Sequence, residues 1–421
     1  MIRFYNGPVL SLREGFELKN EEVWVKEGKI CYTGETPEEL PEFEREIDLE
    51  GKLLMPGFKN CHTHSPMSAF RSYADGLELG DWLFGKILPL EEKLTPQNIY
   101  TFTKLSILEY LSSGVTSIFD MYFHLDGFVS ACTECGMRAS ICGAITQDAP
   151  DYSRVLREYE KYNNVSELIS YNLGFHAEYT ANRELMEYIS ELSLSFRAPV
   201  FTHMSETKSE VEGCRERHGL TPPALFEGLG LFDHGGGVFH GVWLSDEDMD
   251  ILKKQNVSVV SCPCSNLKLR SGIAPLARLK QKGVRICLGT DGPASNNALD
   301  IFREMYLASL LSDLNQKGIP VIEAEDVLLA ATKNGAELVF PDSDCIAVGK
   351  RADLVLIDMN RPSMQPEHNI VKNLVYSGSK DCVCMTMIDG KILYENGEFF
   401  IGESPQEIYE RAKHELKEIT Q

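Results

Sequence analysis

Residues 53–64 read LLMPGFKNCHTH, an apolar run that ends in two histidines one residue apart. On a β-strand, residues i and i+2 point to the same side. His62 and His64 can therefore aim both imidazoles at one point. Seven further strand-like runs follow: TSIFDM (116–121), RASICGAI (138–145), ISYNLGFHA (169–177), PVFTHMSE (199–206), GVFHGVW (237–243), VSVVSC (257–262) and RICLGTD (285–291). Amphipathic helical stretches lie between them, such as PQNIYTFTKLSILEYLSS (96–113) and NRELMEYISELSLSF (182–196). Eight strands alternating with helices imply an α/β fold, a parallel sheet closed into a (β/α)8 TIM barrel.

The two ends of the chain have a different rhythm. VWVKEGKICYTG (23–34), ADLVLIDM (352–359) and VCMTMIDGKILYENGEF (383–399) read as short strands with tight turns, before a charged helix at 405–420. The expectation is a composite β-sandwich from 1–55 and 342–421, including that helix, beside a barrel at 56–341.

Composition narrows the partners. The 421 residues carry 41 basic and 63 acidic side chains, a net charge of −22, with no basic run. A nucleic-acid binder needs clustered Lys and Arg to displace counterions, so no nucleic-acid partner is expected. The apolar runs are too short to span a bilayer, and the first residues lack an apolar signal core. The expectation is a soluble, cytoplasmic protein without a membrane partner. Twelve cysteines include one C-x-x-C pair, Cys132 and Cys135, with no second pair to complete a zinc site. They read as reduced thiols.

In such barrels, catalytic residues come from the C-terminal ends of strands. His62 and His64 end the first strand, His176 the fourth, His203 and Glu206 the fifth, His240 the sixth and Asp291 the eighth. Each has a plain explanation alone: Asp291 before Gly292 suits a turn, and Glu206 suits a helix cap. Together, five strand ends carry metal-binding or proton-transfer chemistry, and chance requires five coincidences. Three neutral imidazoles and a carboxylate suit Zn²⁺ with one position left for water; Fe²⁺ and Mn²⁺ accept the same donors. A bound water then has its pKa lowered from about 15.7 to around 7. Glu206, three residues after His203, is placed to act as general acid and base. His240 is suited to orient the hydroxide, and Asp291 to bind metal and take the water's proton. The fourth-strand run carries no lysine to bridge a second ion, which favours one metal.

At these residues the chain resembles the amidohydrolase superfamily and its aromatic-ring deaminases and chlorohydrolases. It is most similar to the 5-methylthioadenosine/S-adenosylhomocysteine deaminases. The stretches that carry the likeness are MPGFKNCHTHSPM, ADGLELGDWLFGKILPLEEKL, GVTSIFDMYFH, FTHMSET, SNLKLRSGIAP, LGTDGPASNN and GKRADLVLID. The resemblance implies a barrel with a small β-sandwich and one Zn²⁺ held by His62, His64, His203 and Asp291. It implies that Glu91 accepts the ribose hydroxyls, that Trp82 packs over the sugar or its 5′ substituent, and that His176 meets the purine. It implies that Arg154 holds the carboxylate of a homocysteine-bearing substrate. A second arginine is replaced by Gly143, Glu178 stands where proline is usual, and Ser261 where histidine is usual. A homo-oligomer is compatible with the family.

The implied reaction is hydrolytic deamination of a small purine nucleoside: methylthioadenosine, S-adenosylhomocysteine, 5′-deoxyadenosine or adenosine. The alternative is attack on another heteroaromatic ring, by loss of ammonia from guanine, cytosine or a pterin, or by hydrolysis of a triazine. Glu206 counts against chloride loss, which needs no acid, and Glu91 counts for a ribose. A purely structural zinc would be closed by four ligands, mostly Cys, and would not need Glu206.

Overall fold

The computed structural model describes residues 1–312, 314 and 321–420. Eight central strands follow in order: β1 (Phe58–Thr63), β2 (Val115–Tyr122), β3 (Arg138–Gly143), β4 in two pieces (Ile169–Tyr171 and Leu173–Ala177), β5 (Val200–Met204), β6 (Gly236–His240), β7 (Val257–Ser261) and β8 (Ile286–Leu288). Neighbours pair in parallel from β1 to the first piece of β4. The second piece continues through β5, β6 and β7 to β8. Across the break, Asn172 N–H donates to Ile141 O at 2.8 Å and His176 N–H to Ile145 O at 2.9 Å. The ring closes where Asp291 N–H donates to His62 O at 2.9 Å. Gly289 permits this approach, because a Cβ there would lie 2.7 Å from the His62 nitrogen. The fold is the (β/α)8 barrel expected from the strand runs.

The strand interiors interdigitate in a small apolar cluster that includes Phe119, Phe201, Phe239 and Val260. The outer faces bury against the helices. Helix Pro96–Ser112 shows the local logic: the Thr95 hydroxyl accepts the Asn98 N–H, Asn98 returns a bond to Thr95 N–H, and Pro96 occupies the first turn.

Beside the barrel lie two sheets. One contains Lys29–Gly34, Glu22–Lys26, Ile2–Tyr5 and Arg45–Asp48. The other has seven strands and joins both ends of the chain, with Lys52–Pro56 antiparallel to Leu354–Asp358. Phe4, Val23, Leu54, Leu356 and Met385 bury between them. The run LLMPGFKNCH therefore divides, contrary to its reading as one strand. Lys52–Pro56 belongs to the sandwich and Phe58–Thr63 to the barrel. Gly57 makes the passage, since a Cβ would come 2.1 Å from Thr116 Cγ2. Among the described residues, no helix is long and apolar enough to cross a membrane.

A buried ion pair joins the two parts. Arg138, at the start of β3, donates from Nε and Nη2 to Asp353 at 2.6 and 3.0 Å, and both side chains are fully buried. Burial pushes the Asp353 carboxyl up, but Arg138 and Lys59 outweigh it and hold it below the usual range. Removing one partner strands a buried charge, at a typical cost of about 3–5 kcal/mol. Arg138→Ala is thus expected to lower the urea midpoint markedly. The apolar pair Arg138→Met with Asp353→Leu is expected to recover only part of the loss, because buried Lys59 then lacks the Asp353 charge. A single variant as stable as wild type would contradict this account.

Candidate active site

The C-terminal mouth of the barrel opens into a cavity. His64, His176, His203, His240, Glu206 and Asp291 line it. His62 lies just beneath, its ring stacked on Phe239 at 3.8 Å. Two overlapping donor sets share His62: one with His203 and His240, the other with His64 and Asp291, each spanning no more than 4.8 Å. Asp291 Oδ1 is 3.5 Å from His62 Nε2 and 3.3 Å from His64 Nε2.

The hydrogen bonds fix how these rings face. His64 Nδ1 meets the Met121 carbonyl at 2.6 Å, and His203 Nδ1 the His176 carbonyl at 2.7 Å. His240 Nδ1 meets Asn266 Oδ1 at 2.8 Å. A carbonyl only accepts, so each Nδ1 carries a proton and each Nε2 is the nitrogen left to ligate. His62 is fully buried with neither ring nitrogen hydrogen-bonded. A buried orphan of this kind needs a partner, and a cation among these donors supplies one. Burial holds His62 down at about 3 and His176 at about 4, and places His203 well below its ordinary value, so these rings are neutral near pH 7. Burial opposes protonation of His64 too, but Asp291 overcomes it and draws His64 up to about 9. A metal ion at this pair competes with that proton, so its binding releases one. The donor set fits a divalent ion.

Glu206 lies two residues beyond β5. Ser271 donates to its Oε1 at 2.9 Å, and Oε2 is 3.7 Å from His240 Nε2. Burial raises its pKa, the condition for a carboxyl that carries a proton. Ser205, His240 and Asp291 all hold positive φ, at 53°, 72° and 59°. Such strain persists where surrounding contacts over-determine it. Glu210 provides those contacts at β5: its carboxylate accepts Ser205 N–H at 2.7 Å and Glu206 N–H at 2.8 Å. Asp291 is held likewise, by the hydroxyls of Ser265 and Ser295 on Oδ2 and by Gly292 N–H on Oδ1.

The other residues anticipated from sequence divide. Glu91 and Trp82 line the same cavity, on segments Leu88–Glu91 and Leu79–Trp82. Glu91 is buried and accepts the Tyr122 hydroxyl at 2.5 Å. His176 lines the cavity, its Nδ1 2.9 Å from Thr180 Oγ1. Arg154 is not among the cavity-lining residues: its Nε is tied to Glu158 at 2.6 Å, one helical turn away, with the side chain part-exposed. Buried Glu178 pairs with the partly exposed Arg217 and His218, which pins a 3₁₀ turn at Glu178–Thr180. Sequence reasoning missed Tyr122, Ser265, Asn266, Ser271, Ser295 and Glu210. Four of these six lie within SNLKLRSGIAP and LGTDGPASNN, whose resemblance was noted without roles.

A profile of the amidohydrolase family matches residues 53–393. The chain belongs to the amidohydrolase family. A 5-methylthioadenosine/S-adenosylhomocysteine deaminase of Dictyoglomus thermophilum is 38% identical over 379 residues, 89% of each chain. A 5'-deoxyadenosine deaminase of Methanosarcina acetivorans is 35% identical over 96% of this chain and 94% of that one. Among solved structures, a zinc-bound adenosine deaminase of Xanthomonas campestris superposes with TM-score 0.93 at 30% identity, covering 100% of this chain and 98% of that one.

For this amidohydrolase, exhaustive chelation is expected to abolish turnover before it unfolds the barrel, because the main apolar core lies outside the cluster. Elemental analysis and circular dichroism on one sample check both parts. Activity that persists in protein shown to be metal-free would refute the metal assignment.

Proposed function

We propose that this amidohydrolase deaminates an adenine nucleoside, converting it with water to the inosine derivative and ammonia. The observation that carries the reading is one cavity holding both a divalent-ion donor cluster and two separately anchored carboxyls, Glu206 and Glu91. The nucleoside-deaminase names of its relatives support it.

His62, His64, His203 and Asp291 would hold the ion, zinc by preference of the donor set. When bound, it supplies Lewis acidity and a water of lowered pKa. Glu206, whose carboxyl burial shifts toward the protonated form, donates to the ring nitrogen next to the carbon that bears the amine. That carbon becomes more electrophilic. Glu206 is then a carboxylate and recovers its proton from the hydroxyl added to that carbon as the carbonyl forms; the proton that Asp291 takes from the water goes to the amine, which leaves as ammonia. His240 Nε2, its other nitrogen committed to Asn266, accepts a hydrogen bond and orients the attacking water. Asp291 takes that water's proton. No group has to move far, because Ser271, Glu210 and Asn266 already fix the carboxyl and the imidazole.

Glu91 serves the sugar. A carboxylate accepts two adjacent hydroxyls well, and the Tyr122 hydroxyl holds it in place. Trp82 covers the sugar and His176 meets the purine, both from the cavity wall.

An ammonia-release screen of zinc-loaded protein against adenosine, 5′-deoxyadenosine, methylthioadenosine, adenine, guanine and cytosine tests the reading; nucleosides of adenine are expected to lead, and a free base in the lead would sink it. Glu206→Gln should lower kcat by roughly 10²–10⁴-fold, the usual worth of general acid–base catalysis, with metal content unchanged. Glu91→Ala should cost the nucleosides much more than adenine; an equal loss on both would remove the ribose contact.

A further inference from the structure

The cavity carries three carboxylates, Glu91, Glu206 and Asp291. Among the described residues that line it there is no lysine or arginine. Much of the remaining wall is aliphatic or aromatic, including Met67, Leu79, Leu83, Leu88, Phe123 and Leu269. The end of β3 adds small residues: Ala144 and Thr146 line the cavity directly after Gly143.

The cation that flanks this point is already neutralised. Arg154 donates to Glu158 Oε1 at 2.6 Å. Glu158 Oε2 accepts the Tyr171 hydroxyl at 3.0 Å. The same oxygen lies 3.0 Å from the place a Cβ on Gly143 would occupy. Glu158 therefore fills the space at the strand end and brings a negative charge beside it. Arg217, on the helix after β5, is likewise committed, to buried Glu178.

Resting on the nucleoside reading, we propose that the enzyme takes nucleosides whose 5′ substituent is uncharged (hydrogen, hydroxyl or an alkyl thioether) and excludes those ending in a carboxylate or phosphate. An anion entering this cavity loses its hydration and finds no lysine or arginine among the described lining residues to replace it. It also meets the Glu91 carboxylate in a site of reduced dielectric. A thioether or methyl group gains from contact with the apolar wall. The Arg154–Glu158 pair is the determinant at the strand end: it withholds a guanidinium beside Gly143 from an incoming acid.

The test compares kcat/KM of the zinc-loaded enzyme for 5′-deoxyadenosine, methylthioadenosine, 5′-butylthioadenosine, S-adenosylhomocysteine and adenosine 5′-monophosphate. The three neutral substrates are expected to exceed the two charged ones by roughly 100-fold or more, as for a buried charge without a partner. Parity between butylthioadenosine and S-adenosylhomocysteine overturns the proposal. Poor turnover of butylthioadenosine also overturns it, because that compound matches the length without the charge. If no nucleoside reacts at all, the nucleoside reading falls and takes this one with it; the signal from 5′-deoxyadenosine tells the two failures apart. Glu158→Gln is expected to narrow the gap between butylthioadenosine and S-adenosylhomocysteine by about tenfold, the worth of one charge-assisted hydrogen bond. An unchanged gap in a folded variant overturns the role given to the pair.

Discussion

One backbone hydrogen bond does more than any other to make this site: the Asp291 N–H donating to the His62 carbonyl. It closes the barrel between the eighth strand and the first. The residues it joins are also two of the proposed metal ligands, 229 positions apart in the chain. Barrel closure and donor convergence are therefore one event. Gly289 is required for it, because any side chain there would meet the first strand. Asp291 must then turn sharply into the left-handed region to bring its carboxylate back over the mouth. Gly292 N–H, Ser265 and Ser295 hold that turn.

The same economy recurs around the ring. The fourth strand's His176 supplies a carbonyl to the fifth strand's His203, and the second strand's Met121 supplies one to the first strand's His64. Neighbouring strands thus set each other's tautomers through main-chain atoms, which no side-chain substitution removes. Where no strand carbonyl is in place, at His240, Asn266 from the helix after β7 fills in. Glu210 does the corresponding work for Glu206, by holding main-chain N–H groups rather than the carboxyl itself. The chemistry rests on anchored backbone, and the side chains inherit its rigidity.

The barrel was readable in sequence because its strands are short apolar runs with polar residues at one end only. That asymmetry survives without coordinates: His62, His203, His240 and Asp291 each follow buried apolar strand residues. The expected boundary at 55/56 lies beside Gly57, but the break there within the run LLMPGFKNCH was not readable. LLMP and FKNCH are both apolar and β-prone, and only the approach of Thr116 shows that the chain leaves one sheet for another. Side-chain commitments were equally hidden. Arg154 lies at a sequence position suited to the cavity, but a glutamate four residues on captures it, a local choice that motif matching does not weigh. The partners in SNLKLRSGIAP stayed without roles because Ser and Asn are ordinary in a loop and helix start until a neighbour gives them a task.

The second strand ends in Met121 and Tyr122, and these adjacent residues address different tasks. The Met121 carbonyl fixes His64, at the donor cluster. The Tyr122 hydroxyl fixes Glu91, on a separate segment above the barrel. A strand's carbonyls lie along the sheet toward its neighbour while its side chains stand off it, so one strand end can reach both. The reacting ring carbon and the sugar are thereby gauged from a single rigid element. A nucleoside spans that gauge with its glycosidic bond, whereas a free base engages only one end of it. The Glu91–Tyr122 contact would serve no purpose for a base alone, yet it buries a carboxylate at a cost in desolvation. Under the proposed ribose contact, a ligand carrying hydroxyls to donate would offset that cost. On that reading the sugar is the part of the substrate to which the wall above the barrel is built, and the metal cluster below it is indifferent to that choice.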